Sequence, residues 1–133
     1  MKEVTVEQLN QQYLGPMATS FGVKITALAK GRIEGTMPVT QKCFQPLGIV
    51  HGAAYCLLGE TLGSVASYVM AAPNEKIVGT SLTTNYMRKV DTGTLHARAV
   101  AKHLGRRTQV WQIEITDDAD KLVSHMTLQT MIL

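Results

Sequence analysis

The sequence predicts an α+β domain, an antiparallel sheet of about six strands packed on one long central helix. Three observations carry that expectation. Residues 43–74, CFQPLGIVHGAAYCLLGETLGSVASYVMAAPN, hold one formally charged side chain, Glu60, and repeat apolar residues at helical spacing. Four runs of strand-like alternation follow, divided by turn residues, and a two-strand pattern precedes the segment. An antiparallel sheet can bury one long helix on one face, and a helix almost free of charge has to be wrapped by sheet or by a partner subunit.

The elements follow in order. Thr5 to Tyr13 has helical spacing, with Thr5 as N-cap and Gln8 three residues later, and Gly15-Pro16 is expected to stop it. Phe21 to Val39 changes to period two, with Val23, Ile25 and Ala27, then Ile33, Gly35 and Met37; Lys30-Gly31 is the hairpin turn. Gln41 to Gly48 is a loop punctuated by Pro46 and Gly48. Leu58, Leu62, Val65 and Val69 form the apolar stripe of a helix from about Val50 to about Ala71, ended by Pro73-Asn74. The strand-like runs are Ile77 to Arg88, Thr94 to Leu104, Arg107 to Thr116 and Leu122 to Leu133. Asp91-Thr92-Gly93, Gly105 and Asp117 to Asp120 are the turns between them.

The totals fit one domain over residues 1–133. Hydrophobic residues make up 45% and charged residues 17%, the balance of a globule rather than a disordered chain. A net charge of +3, with Lys and Arg scattered, gives no support for a nucleic-acid partner. Cys43 and Cys56 show neither a zinc pattern nor a disulfide framework and read as reduced cytoplasmic thiols. The N-terminal residues lack an apolar signal core, and Gly48 to Ala72 carries Glu60, His51 and four glycines, a poor match to a membrane span. A cytoplasmic protein with no membrane contact is expected.

Glu60 raises the functional question. On a helix it shares a face with Ala53, Cys56, Leu57, Gly63, Ser64 and Ser67, all small, weakly polar or single apolar residues, and opposes the leucine–valine stripe. A solvated face normally carries several charges, and this one carries one. Burying a carboxylate costs several kcal/mol unless it is paired or protonated, and carboxylates so placed gather at active sites. The competing reading is an ordinary solvated or ion-paired glutamate.

The start of the same helix is the second clue. Gln45-Pro46-Leu47-Gly48-Ile49-Val50-His51-Gly52 leads into it. The first amides of a helix lack internal partners and sit at its positive end, so a carbonyl oxygen placed there is polarised. Gly52 lets a ligand approach the backbone, and Gln45 and His51 can add donors. The plainer alternatives are a helix cap or core imidazole for His51 and a loop amide for Gln45. Gly52 and Glu60 lie roughly 12 Å apart along one helix axis. Two antiparallel helices, one from each subunit, would place the amide of one chain opposite the carboxylate of the other. A dimer with two equivalent shared sites is therefore expected.

These residues resemble the hotdog-fold acyl-CoA thioesterases, in the branch that includes glutamate-type 4-hydroxybenzoyl-CoA thioesterase and 1,4-dihydroxy-2-naphthoyl-CoA thioesterase. The matching motif is Gln45-Pro46-x-Gly48-x-x-His51-Gly52-x-Ala54, then Glu60-x-x-Gly63-Ser64. His103-Leu104-Gly105-Arg106-Arg107 leading to Gln109-Val110-Trp111 supports it. The resemblance implies a sheet wrapped around the central helix, assembled as a homodimer or homotetramer. It implies Glu60 as catalytic carboxylate, the Gly52 amide as polarising donor with Gln45 and His51 assisting, and Ser64 as a group that places the acyl chain or the water. The implied substrate is an acyl-CoA, with acyl carrier protein the other carrier, and no metal or redox cofactor. Two departures bear on the acyl group: His51-Gly52-Ala53 where relatives often have His-Gly-Gly, and Asn85-Tyr86 where some have Asn-His.

A thioester carbonyl is electrophilic and its thiolate leaves readily, so an oxyanion donor and an oxygen nucleophile suffice. Glu60 acts either as nucleophile or as general base on water. Arg88, Lys89, Arg106 and Arg107 are the candidate contacts for coenzyme A phosphates, against the plainer reading of solvated strand ends, and Asn85 is a candidate pocket residue. Two further readings stay open at this point: a dehydratase or isomerase of the same fold, and a non-catalytic acyl-CoA-binding module.

Overall fold

The computed structural model describes all 133 residues. Helix α1 (Val6–Gln12) opens the chain with the expected capping box. The Gln8 N–H donates to Thr5 Oγ1 at 3.1 Å, and the Thr5 N–H donates to Gln8 Oε1 at 2.8 Å. Gly15-Pro16 does more than stop this helix. It starts a second one, α2 (Gly15–Ser20), because Pro is tolerated in a first turn whose N–H groups lack partners anyway.

Strands β1 (Lys24–Ala29) and β2 (Arg32–Pro38) form the hairpin around Lys30-Gly31. A single turn of 3-10 helix, Gln41–Cys43, leads toward the long helix α3 (Gly52–Met70). Then come β3 (Ile77–Tyr86), β4 (Thr94–Leu104), β5 (Thr108–Thr116) and β6 (Leu122–Ile132). The six strands make one sheet in the order β1-β2-β4-β5-β6-β3, every pair antiparallel. This is the α+β arrangement expected from the sequence. Strand β3 lies at the sheet edge, paired only to β6, and none of its ten residues is fully buried.

Helix α3 crosses one face of the sheet. Its stripe of Leu58, Leu62, Val65 and Val69 is buried with Trp111, Ile113, Met126 and Leu128 in one apolar core. Ten of its nineteen residues are buried. The sheet therefore curls further round the helix than the apolar stripe alone implies. Gly63 and Ser67, expected beside Glu60 on an open face, are instead buried against the sheet. A Cβ on Gly63 would lie 2.5 Å from Leu128 Cδ2, and the Ser67 and Thr130 hydroxyls share a hydrogen bond of 2.9 Å. What stays open is a narrower strip of Ala53, Leu57, Glu60, Thr61 and Ser64. No helix is long and apolar enough to cross a membrane.

Candidate active site

The start of α3 is built by its own loop. His51 is the N-cap: its Nδ1 accepts the Ala53 N–H at 2.9 Å, so the neutral ring carries its proton on Nε2. The Val50 N–H donates to Val90 O, the His51 N–H to Cys43 O and the Ala54 N–H to His51 O. The amides on both sides of Gly52 are thus engaged. The Gly52 N–H is the first of the helix and has no acceptor within it. Gln45 is half-buried in the same loop; its Oε1 accepts the Leu47 N–H at 2.5 Å, which leaves its amide nitrogen free to donate.

A cavity of about 380 Å³ opens beside this helix start and is lined by Gln45, Gly52, Tyr55, Tyr86, Arg88 and Lys89, among others. Gly52 is glycine for a visible reason. A Cβ there would stand 2.8 Å from Cζ and 3.0 Å from the hydroxyl of Tyr86. The Tyr86 hydroxyl lies 3.3 Å from Cys56 Sγ, a contact that, with partial burial, pushes the phenol above its ordinary value.

Glu60 lines a different cavity, of about 470 Å³, with Ala53, Cys56, Leu57, Ser64 and Val65 from α3 and the α1–α2 corner around Tyr13 and Met17. The lining is mainly apolar. The Glu60 carboxylate is exposed in the single chain and takes part in none of its ion pairs. It lies against β3, where a Cβ on Gly79 would meet its Oε1 at 2.8 Å.

One chain therefore brings together Gln45, Gly52, Arg88 and Lys89 at one cavity, with His51 capping the helix next to Gly52, and Glu60 with Ser64 at another cavity. It does not bring the two groups together. Arg106 and Arg107 sit in the β4–β5 turn, beside the Ile77 end of β3, whereas Arg88 and Lys89 follow its Tyr86 end. Asn85 lines neither cavity. It pairs with His125, and strand alternation turns it to the face of the sheet opposite Tyr86, which meets α3. The pocket residue on β3 is thus Tyr86. Tyr55, also in the cavity wall, had no signal in the sequence beyond its place in an apolar helix.

Comparison with known proteins agrees with this architecture. The thioesterase superfamily model matches residues 47–124, the stretch from the loop before α3 into β6. A 1,4-dihydroxy-2-naphthoyl-CoA hydrolase of Escherichia coli K12 is 36% identical over 132 residues, 99% of this chain and 96% of that protein. The proofreading thioesterase EntH of Cronobacter sakazakii is also 36% identical over 132 residues, with the same coverage of both. A crystal structure of a Haemophilus influenzae thioesterase superposes with a TM-score of 0.94 at 36% identity, covering 99% of this chain and 92% of that one. Sequence over nearly the full length and a common sheet-round-helix architecture lead to one conclusion: the chain belongs to the thioesterase superfamily, has its hotdog fold, and is a thioester hydrolase.

Proposed function

We propose that this enzyme hydrolyses an aromatic acyl-CoA, of the 1,4-dihydroxy-2-naphthoyl or hydroxybenzoyl type, at sites shared between two chains. The observation that carries the reading is the Gly52 N–H, left without an intrahelical acceptor at the positive end of a 19-residue helix while its neighbours are engaged. A thioester carbonyl oxygen set against it is polarised, and the oxyanion of the tetrahedral intermediate gains a preorganised donor. The free amide of Gln45 and the Nε2–H of His51 supply donors in the same loop.

Glu60 provides the oxygen. As nucleophile it adds to the carbonyl carbon, the C–S bond breaks, the thiolate leaves, and water opens the mixed anhydride. As base it takes a proton from the water that attacks the same carbon. Both routes need the carboxylate ionised and unpaired, and no ion pair in the chain occupies it. The mainly apolar cavity beside Glu60, with Ser64 at its wall, suits a flat ring, and the name of the Escherichia coli relative favours an aryl acyl group. A short- or medium-chain acyl group is the second reading, favoured by the same apolar lining.

The edge strand supports the shared site. A ten-residue edge with unpaired backbone groups is a template for a second strand. Glu60 lies at the Gly79 part of β3 and Gly52 at Tyr86. Antiparallel pairing of two β3 strands about a two-fold axis near Leu82 and Thr83, the register the proposal adopts, sets position 79 of one near position 86 of the other. The carboxylate of one chain then faces the helix start of its mate. The same pairing carries Arg106 and Arg107 of one chain toward Arg88 and Lys89 of the other, a basic cluster for coenzyme A phosphates. Two free thiols fit a cytoplasmic setting.

The test is thiol release from a panel of aryl-, short-, medium- and long-chain acyl-CoAs. Aryl substrates are expected to give the highest kcat/KM, and Glu60→Ala to cut kcat at least ~10²-fold. A Glu60→Ala enzyme with wild-type turnover removes the carboxylate from the mechanism. A fatty-acyl preference replaces the substrate class and leaves the reaction.

A further inference from the structure

The wall of the cavity at the helix start includes a tyrosine, Tyr55, that the reaction above does not use. Tyr55 is 3% exposed, and its hydroxyl is the one buried side-chain polar atom without a hydrogen-bond partner. Leaving a hydroxyl buried and unpaired destabilises the fold, because the group gives up its hydrogen bonds to water and gains none. Phenylalanine at this position would fill the same space without that cost. A tyrosine kept at this disadvantage needs a partner that the isolated chain lacks.

Its place in the cavity indicates which partner. At one wall is Gly52, the site of the thioester carbonyl; at another are Arg88 and Lys89, whose charge suits the phosphates. Tyr55 and Tyr86 stand in the same wall, their rings 5.9 Å apart between centroids and tilted by 40°. Between the carbonyl and the phosphates of an acyl-CoA runs the pantetheine arm. The arm has two amides, and their carbonyls are its strongest acceptors.

We propose that the Tyr55 hydroxyl is a substrate-binding donor that hydrogen-bonds an amide carbonyl of the pantetheine arm. Tyr86 is the cover. It stands at the end of an edge strand, is half exposed, and is tied at its tip by one thiol contact to Cys56. In the proposal the Tyr86 ring turns aside when the arm binds, which opens the wall beside Tyr55. Burial pushes the Tyr55 phenol above its ordinary value of 10, so it remains a protonated donor across the neutral range.

This inference rests on the acyl-CoA reading, and coenzyme A itself, which carries the whole arm and needs no hydrolysis, is the probe. Tyr55→Phe removes one oxygen and preserves the ring. Calorimetric Kd for coenzyme A and KM for benzoyl-CoA are expected to rise about three- to tenfold, the worth of one net hydrogen bond, with a smaller change in kcat. Thermal stability of the free protein is expected to hold or rise. A merely structural tyrosine gives the opposite pair, lower stability with unchanged Kd. Unchanged Kd and KM overturn the proposal. So does a loss of stability that depends on protein concentration, which assigns the hydroxyl to a partner chain. If the variant weakens coenzyme A binding while no aryl-CoA is hydrolysed, the donor stands and the substrate class falls.

Discussion

Asp118 shows how a single side chain on the outer face ties two elements. Its Oδ1 lies 2.7 Å from His96 Nε2 on β4, and its Oδ2 accepts the Thr94 N–H at 3.1 Å, so the β5–β6 turn is fastened to the start of β4. The His96 contact first, and the Thr94 amide second, hold the carboxyl below its ordinary value of 3.8. A depressed acid stabilises the fold above its unfolded pKa and loses that contribution as pH falls through the folded one. Asp118→Asn keeps an acceptor oxygen and removes the charge. Its melting temperature is expected to lie below wild type at pH 6, with the gap closing as pH falls through and below the ordinary carboxylate range; a gap that widens in acid contradicts the assignment. Residues of the site divide the same way between what spacing can show and what it cannot. Gln45, His51, Gly52 and Glu60 stand out in sequence because helix starts and lone carboxylates have physical signatures there; the structure sets the first three around the start of α3 and Glu60 at a separate cavity. Asn85 is the sequence's candidate pocket contact on this strand, yet its neighbour Tyr86 lines the cavity, because a strand sends adjacent residues to opposite faces. Tyr55 was illegible: that its hydroxyl is orphaned depends on what surrounds it, which no local pattern encodes.

Among the elements, the four strands after α3 are legible to within two residues, because alternation and turn residues report a half-buried ladder directly, whereas β1 starts three residues after the Phe21 at which the alternation begins. The long helix was also clear, but its faces were not. Angular spacing puts Gly63 on the Glu60 face, away from the apolar stripe, yet it packs on Leu128 and Ile113. Small residues on a helix mean either space left for a ligand or close approach of another element, and sequence alone does not separate these. Mutation does. In an open site, Gly63→Ala gains helix propensity and stabilises the protein by up to about 1 kcal/mol. Against the sheet, the added methyl meets Leu128 Cδ2 at 2.5 Å and Ile113 Cδ1 at 3.2 Å, both branch tips held in a packed core. Overpacking of this kind costs about 1–3 kcal/mol and outweighs the propensity gain. Urea unfolding of Gly63→Ala should therefore show a lower midpoint at unchanged slope. A raised midpoint would mean that α3 stands off the sheet at this turn.

At the scale of the whole molecule, the architecture separates the two halves of the chemistry. The Gly52 amide and the Glu60 carboxylate, the two groups proposed to carry the reaction, share one helix, but they open onto different cavities with Tyr86 and Cys56 between. A two-fold dimer through β3 rejoins them crosswise, and that geometry has a consequence that single mutants do not reveal. Each site would take Glu60 from one chain and Gln45 with Gly52 from the other. Homodimers of Glu60→Ala lack the carboxylate at both sites, and homodimers of Gln45→Ala lack the assisting donor at both. A mixed dimer concentrates both lesions in one site and leaves the other intact. Random co-assembly from equal amounts gives half mixed dimers with one working site in two, so about a quarter of wild-type activity should return. Separate tags on the two chains isolate the mixed species, for which about half is expected. If the two groups instead act within one chain, every site in the mixed dimer retains one lesion and activity stays at the level of the parents. Thr83→Lys near the middle of β3 provides the control. It sets like charges across the two-fold axis, should shift the sedimentation equilibrium toward monomer, and should abolish complementation along with turnover.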